Sequence, residues 1–254
     1  MNRIKKIFKT RSKKVIPFIT SGFPRKKDTV GIVLAAEAGG AAMIEMGIPF
    51  SDPLADGPII QASSHKAIQN GVNIPWILET IIDIRKQSEI PISLMGYINP
   101  IIKYGLNTFI IDCKASGVDG LIIPDLPPEE AGEFVKISKE NSICPILLVA
   151  PNTPNNRIRE ISKLSEELIY CVAILGITGS QSADNDKLIS YLNRVEKYSV
   201  CPFVVGFGIT DRNDVISVNK MAHGVVVGSA IIREIQKNSD PIGFVKSYIE
   251  RLNS

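Results

Sequence analysis

The stretch AAMIEMGIPFSDPLADGP, residues 41–58, runs an apolar segment into a loop and carries acids at Glu45, Asp52 and Asp56. Alternation along a strand places Met43, Glu45 and Gly47 on one face, with Ile44 and Met46 on the other. Ile44 and Met46 suit a layer covered by helices, which turns Glu45 to the opposite side. Beyond Gly47, the residues Pro49, Pro53, Gly57 and Pro58 exclude one continuous helix. The loop can therefore fold back and carry an aspartate toward Glu45. Spacing alone does not choose between Asp52 and Asp56, and either also suits a cap or a turn.

Working outward, short β-branched runs recur along the chain: 15–20, 41–47, 91–96, 119–124, 144–150, 168–174, 202–208 and 224–230. Helical patterns lie between them. NIPWILETIIDIRKQS (73–88) offers Asn73 as N-cap and Ile77, Leu78 and Ile81 on one face. DPIGFVKSYIERL places Asp240 before Pro241 at a first helical position. Strands alternating with helices imply right-handed βαβ units around a parallel sheet. Eight units in ~250 residues match a closed (β/α)8 TIM barrel, an α/β fold in a single domain over residues 1–254. A doubly wound open sheet fits less well, because SGFPRK after the first run is not a dinucleotide fingerprint.

In such a barrel, chemistry sits where strands end and the following loops begin. That puts Glu45 near the mouth, facing inward. A structural glutamate would need an inward basic partner, and no strand run supplies a Lys or Arg.

Composition narrows the classes. The chain is 44% hydrophobic and 22% charged, with a net charge of +3. No strong basic field for nucleic acid exists, and no apolar run approaches the ~20 residues of a membrane span. MNRIKKIFKTRSKK is locally basic and is expected to form a short amphipathic helix at about 2–10, with Ile4, Ile7 and Phe8 on one face, rather than a targeting peptide. Cys113, Cys144, Cys171 and Cys201 are scattered, which suits reduced thiols in an intracellular compartment. His65 and His223 are far apart in sequence, so no histidine-based metal site is expected.

Glycine turns GITGS (176–180), GFGIT (206–210) and GSAI (228–231) follow the last three runs. Loops after the seventh and eighth strands, with a helix start, form the common barrel phosphate site. No strand run carries the lysine that a Schiff-base aldolase needs. What remains is carboxylate acid–base chemistry on a phosphorylated substrate.

These residues closely resemble the tryptophan synthase alpha chain family. IEMGIPFSDPLADGPIIQ matches its signature, and VIPFITSGFP, LMGYINPI, GVDGLIIPDLPPEE, GITG, VVGFGI and GSAII follow in the family's order and spacing. The resemblance implies a (β/α)8 lyase that cleaves indole-3-glycerol phosphate to indole and glyceraldehyde 3-phosphate. It implies an alpha2-beta2 assembly, in which indole passes to a pyridoxal-phosphate beta subunit. This chain itself would need no cofactor. By the same resemblance Glu45 is the catalytic acid–base and Asp56 the partner of the indole N–H. Tyr170 and Thr178 would contact substrate or close over it. Phe18, Ile60, Met95 and Phe207 would wall the indole ring, and Gly179, Gly208, Gly228 and Ser229 would bind phosphate. Asp52, Pro53, Asn99 and Pro100, on the loops after the second and third runs, would face the beta subunit. Cytoplasm or plastid stroma would be its compartment.

The match departs from the family at Ala173, Ile174 and Leu175, and GSQSADND (179–186) differs from its usual mobile loop. Other readings are a stand-alone indole-releasing lyase, a non-catalytic activator of the beta chain, and another phosphate-binding barrel isomerase. Retention of Glu45, Asp56 and the phosphate turns argues against the activator, and the long motif around Glu45 against the isomerase.

Overall fold

The chain is described by a computed structural model that covers all residues except 1, 11, 13, 173–180, 207 and 210, with the backbone alone at 181–185. The strands are Val15–Thr20 (β1), Ile44–Gly47 (β2), Ile92–Met95 (β3), Gly120–Ile122 (β4), Cys144–Pro145 (β5), Leu147–Val149 (β6), Ile169–Val172 (β7), Phe203–Gly206 (β8) and Gly224–Val227 (β9). All pair in parallel, in the order β5-β4-β3-β2-β1-β9-β8-β7-β6. The ends of this order, β5 and β6, are consecutive pieces of one run, so the chain itself closes the barrel.

The eight expected runs thus become nine segments, because the fifth divides at Ile146. Pro145 has no N–H to give the ladder. Cys144 and Pro145 pair with β4, while Leu147–Val149 pair with β7. The Ile146 N–H still donates to the Leu121 carbonyl at 2.9 Å, and that of Leu147 turns to the Ser165 hydroxyl at 3.1 Å.

The helices are Arg3–Ile7 (α1), Thr29–Ala38 (α2), Pro58–Gln69 (α3), Ile74–Arg85 (α4), Ile98–Tyr104 (α5), Leu106–Ser116 (α6), Gly132–Glu140 (α7), Asn155–Ser165 (α8), Gln181–Tyr198 (α9), Arg212–Asn219 (α10), Ser229–Lys237 (α11) and Pro241–Asn253 (α12). Asn73 and Asp240 cap α4 and α12 as the sequence predicts, accepting from the N–H groups of Trp76 and Gly243. Ile77, Leu78 and Ile81 of α4 are buried against the barrel wall. Among the described residues no helix is long and apolar enough to cross a membrane.

The N-terminal helix is shorter than the expected 2–10. It ends at Ile7, and the Lys14 ammonium donates to the carbonyls of Thr10 at 2.7 Å and Ser12 at 3.1 Å. Those carbonyls are turned to the lysine instead of along a helix axis. Ile4 is fully buried beside Gly120, where an added Cβ would lie 2.7 Å from Ile4 Cδ1. Asp119, at the start of β4, takes hydrogen bonds from Arg3 at 3.1 Å and Arg85 at 2.9 Å. Helix α1 therefore packs at the N-terminal end of the strands, opposite the mouth where the candidate site lies.

Candidate active site

Both faces of β2 are buried, as a strand between barrel interior and helix layer requires. Ile44 and Met46 are fully buried, and Glu45 faces a cavity of about 240 Å3. Phe18 of β1, Met95 of β3 and Tyr170 of β7 line the same cavity. Two glycines allow this wall to form. A Cβ on Gly47 would lie 2.6 Å from the tip of the Phe18 ring, and one on Gly206 would lie 1.8 Å from the Tyr170 hydroxyl oxygen. Both aromatic rings lie where a larger residue would stand.

The ambiguity between the two aspartates is resolved by the loop. Asp56 lines the cavity with Glu45, whereas Asp52 is exposed and accepts the Ser51 hydroxyl at 2.5 Å. The loop is fixed on several sides. The Asp56 N–H donates to the Pro53 carbonyl at 3.0 Å, and Gln61 Nε2 to the Asp56 carbonyl at 2.9 Å. His65 Nε2 lies 3.1 Å from the Ser51 carbonyl.

The most specific restraint is Tyr97, which sequence reasoning did not assign although it lies within LMGYINPI. It is only 6% exposed. Its hydroxyl donates to Asp56 Oδ2 and accepts from the Ala55 N–H, each at 3.0 Å. One phenol thus fixes both the carboxylate and its backbone, and an aromatic adjoining an apolar strand was the available signal. Tyr97→Phe should free the Asp56 carboxylate, raise its proton affinity and lower kcat by about 10-fold, measured as product release at neutral pH.

Glu45 is 2% exposed and makes no hydrogen bond to the described residues. Burial pushes its carboxyl up to about 8, and the neighbouring Asp56 charge adds to the rise. Burial also raises Asp56, but the Tyr97 hydrogen bond opposes it. Tyr170 is held well above the usual phenol range by burial and by both acids. The two carboxyls therefore differ in kind at neutral pH: Glu45 carries a proton to give, while the hydrogen-bonded Asp56 is the one favoured as an anion.

Gly208, Gly228 and Ser229 contribute to the same lining. Gly208 has φ +77°, a left-handed conformation that favours glycine. The eighth run ends at Val227 instead of 230, because α11 begins at Ser229, with Gly228 as an N-cap that has no side chain to satisfy the first turn. Uncapped N–H groups and the positive end of a helix suit an anion. Ile60 also lines the cavity. Thr178, Gly179, Phe207 and the departures at Ala173, Ile174 and Leu175 lie outside the described residues. Residues 181–186, within the segment compared with a mobile loop, form the start of α9. On the rim, Asp52 and Asn99 are exposed and Pro100 half-buried, but Pro53 is buried and it is Leu54, 95% exposed, that projects there. Among the described residues no cluster of His, Cys, Asp or Glu could hold a metal ion.

The family described as tryptophan synthase alpha chain matches residues 4–251. The tryptophan synthase alpha chain of Petrotoga mobilis is 45% identical over 251 residues, covering 99% of this chain and 97% of that relative. That of Caldanaerobacter subterraneus subsp. tengcongensis is 42% identical over 254 residues, covering 98% and 97%. Among solved structures, tryptophan synthase subunit alpha from Legionella pneumophila superimposes with a TM-score of 0.91 at 32% identity, covering 99% and 97%. A chain of the tryptophan synthase a2b2 complex from Pyrococcus furiosus does so at 0.89 and 38% identity, covering 95% and 98%. Full-length similarity of this order, over the barrel and the loops that build its mouth, shows that the chain belongs to the tryptophan synthase alpha chain family.

Proposed function

We propose that the chain catalyses the retro-aldol cleavage of indole-3-glycerol phosphate to indole and D-glyceraldehyde 3-phosphate. The observation that carries this reading is the pair of carboxyls, Glu45 and Asp56, facing one largely apolar cavity that ends at the N-terminus of α11. An indole ring fits between Phe18, Ile60 and Met95, and the phosphate lies toward Gly208, Gly228 and Ser229. Glu45, protonated at neutral pH, donates to the ring carbon that bears the glycerol chain. The positive charge that develops on the ring nitrogen is stabilised by the Asp56 carboxylate, which Tyr97 orients. The Glu45 carboxylate then takes the proton from the glycerol hydroxyl as the carbon–carbon bond breaks. Indole leaves, the aldehyde forms, and Glu45 is again neutral. Thr178, Gly179 and Phe207 complete this assignment by family resemblance.

The partner follows from the same reading. The rim with Asp52, Pro53, Asn99 and Pro100 docks a tryptophan synthase beta subunit in an alpha2-beta2 heterotetramer, and pyridoxal phosphate belongs to that subunit. The projecting apolar group there is Leu54, with the buried Pro53 shaping the turn beneath the contact. Leu54→Ala should weaken binding to a matched beta chain about 10-fold or more, read by titration calorimetry, with the fold and the unassisted cleavage rate retained. Unchanged affinity would contradict this face. The function itself is tested by an indole-release assay on indole-3-glycerol phosphate, with and without beta chain. Stoichiometric indole and triose phosphate support it, and no cleavage in either condition refutes it.

A further inference from the structure

Ser93 is fully buried, and its hydroxyl oxygen has no hydrogen-bond partner among the described residues. A buried hydroxyl left in that state destabilises the resting fold. Its position offers a use for it. In the paired strands β2 and β3, Glu45 stands opposite Ser93 and Gly47 opposite Met95. Side chains at matched positions of a parallel pair lie on the same face of the sheet. Met95, two residues beyond Ser93 and so on the same face, lines the cavity with Glu45. Ser93 therefore projects into the barrel at the level of Glu45, one layer deeper than Met95.

Adjacent strands are about 4.8 Å apart, a distance a glutamate side chain can span. Rotation of the outer Glu45 torsions brings a carboxyl oxygen to the Ser93 hydroxyl. On the two strands that flank this pair the matched neighbours offer no donor: Phe18 stands opposite Glu45 on β1, and Gly120 opposite Ser93 on β4. The titratable groups that act on Glu45 among the described residues are Asp56, from the loop after β2, and Tyr170, from β7. Neither brings a positive charge.

We propose that Ser93 is a positioning residue for Glu45, donating a hydrogen bond to the carboxylate formed once Glu45 has protonated the ring carbon. This rests on the cleavage reading above. The carboxylate arises in a largely apolar site with no described hydrogen bond holding it, and the Ser93 O–H supplies a donor on the adjacent strand. The bond aims the carboxylate for the second step, in which it takes the glycerol hydroxyl proton. Glu45 is then neutral again and Ser93 is released, so the resting state shows the hydroxyl free.

The test is Ser93→Ala, with Ser93→Thr as the hydroxyl-retaining control. Ser93→Ala should lower kcat about 10-fold or more with KM within ~2-fold, because a hydrogen bond to a charged group is lost after binding. The basic limb of the pH–rate profile should move up by ~0.5–1 pH unit, since the anion has lost a donor. Infrared titration of the Glu45 carboxyl, with its band identified through Glu45→Gln, should move in the same direction without needing turnover. Ser93→Thr should restore all three. Thermal stability of Ser93→Ala should be unchanged or higher, whereas a merely structural serine would give a drop with an unmoved titration. Should Ser93→Ala fail to fold, Ser93→Cys, similar in volume and a weak donor, carries the same measurements. An active wild type with unmoved kcat and titration in Ser93→Ala overturns the role of Ser93 alone. A wild type that releases no indole overturns the cleavage reading on which it rests.

Discussion

Glu45→Gln is expected to reduce kcat for indole release by ~10²–10⁴-fold or more, because the amide neither gives nor takes the proton at the bond that breaks. Substrate binding should survive, since the apolar walls and the turns at Gly208 and Gly228 are untouched. The same substitution should alter stability in a pH-dependent way. Burial raises the folded-state carboxyl to about 8, above its ordinary value near 4.5. The native state therefore holds a proton that the unfolded chain releases, so wild-type stability falls as pH rises between those values. Glu45→Gln has no such proton to lose. It should match wild type below pH ~4.5 and exceed it at pH 9 by up to about 5 kcal/mol, at ~1.4 kcal/mol for each pH unit between the two values, or roughly ten degrees in Tm. Thermal melts at the two pH values check this. A glutamate kept for structure would instead leave the variant unfolded or less stable at both.

Asp56→Asn should cost ~10²–10³-fold in kcat, the scale of losing a preorganised electrostatic contact to a developing charge. Its second effect identifies the pair. The Asp56 charge contributes to the raised Glu45 carboxyl, so its removal should move the basic limb of the pH–rate profile downward. Steady-state rates of Asp56→Asn from pH 6 to 10 measure both. A loss of activity with an unmoved limb would mean that the two carboxyls do not act on one another.

The barrel was legible because its signal is repeated. Alternation along 41–47 assigned Glu45 to the interior, and the β-branched runs recur at spacings that only βαβ units explain. The cap residues Asn73 and Asp240 were legible for a local reason: each bonds N–H groups within three residues of itself. What escaped the sequence depends on contacts made across it. Spacing left Asp52 and Asp56 open and only family resemblance chose Asp56; its physical basis is Tyr97, 41 residues away, whose hydroxyl reaches Asp56 only once β2 and β3 lie side by side. The split at Ile146 followed from Pro145 meeting two different neighbours, β4 and then β7 through the next residues. Pro53 was placed on the rim by its position in the loop after the second run and by family resemblance, yet in the structure the loop buries it and exposes Leu54.

The measurement that tests the central claim most directly is kcat/KM for indole release from indole-3-glycerol phosphate across pH 6–10. If Glu45 enters the reaction as a proton donor, kcat/KM should hold near neutrality and fall tenfold per unit at pH values above about 8, as the free enzyme loses that proton. The phosphate of the substrate titrates near 6 and leaves this limb clear. A kcat/KM that stays level to pH 10, or rises through that range, would contradict Glu45 as the acid that opens the cleavage.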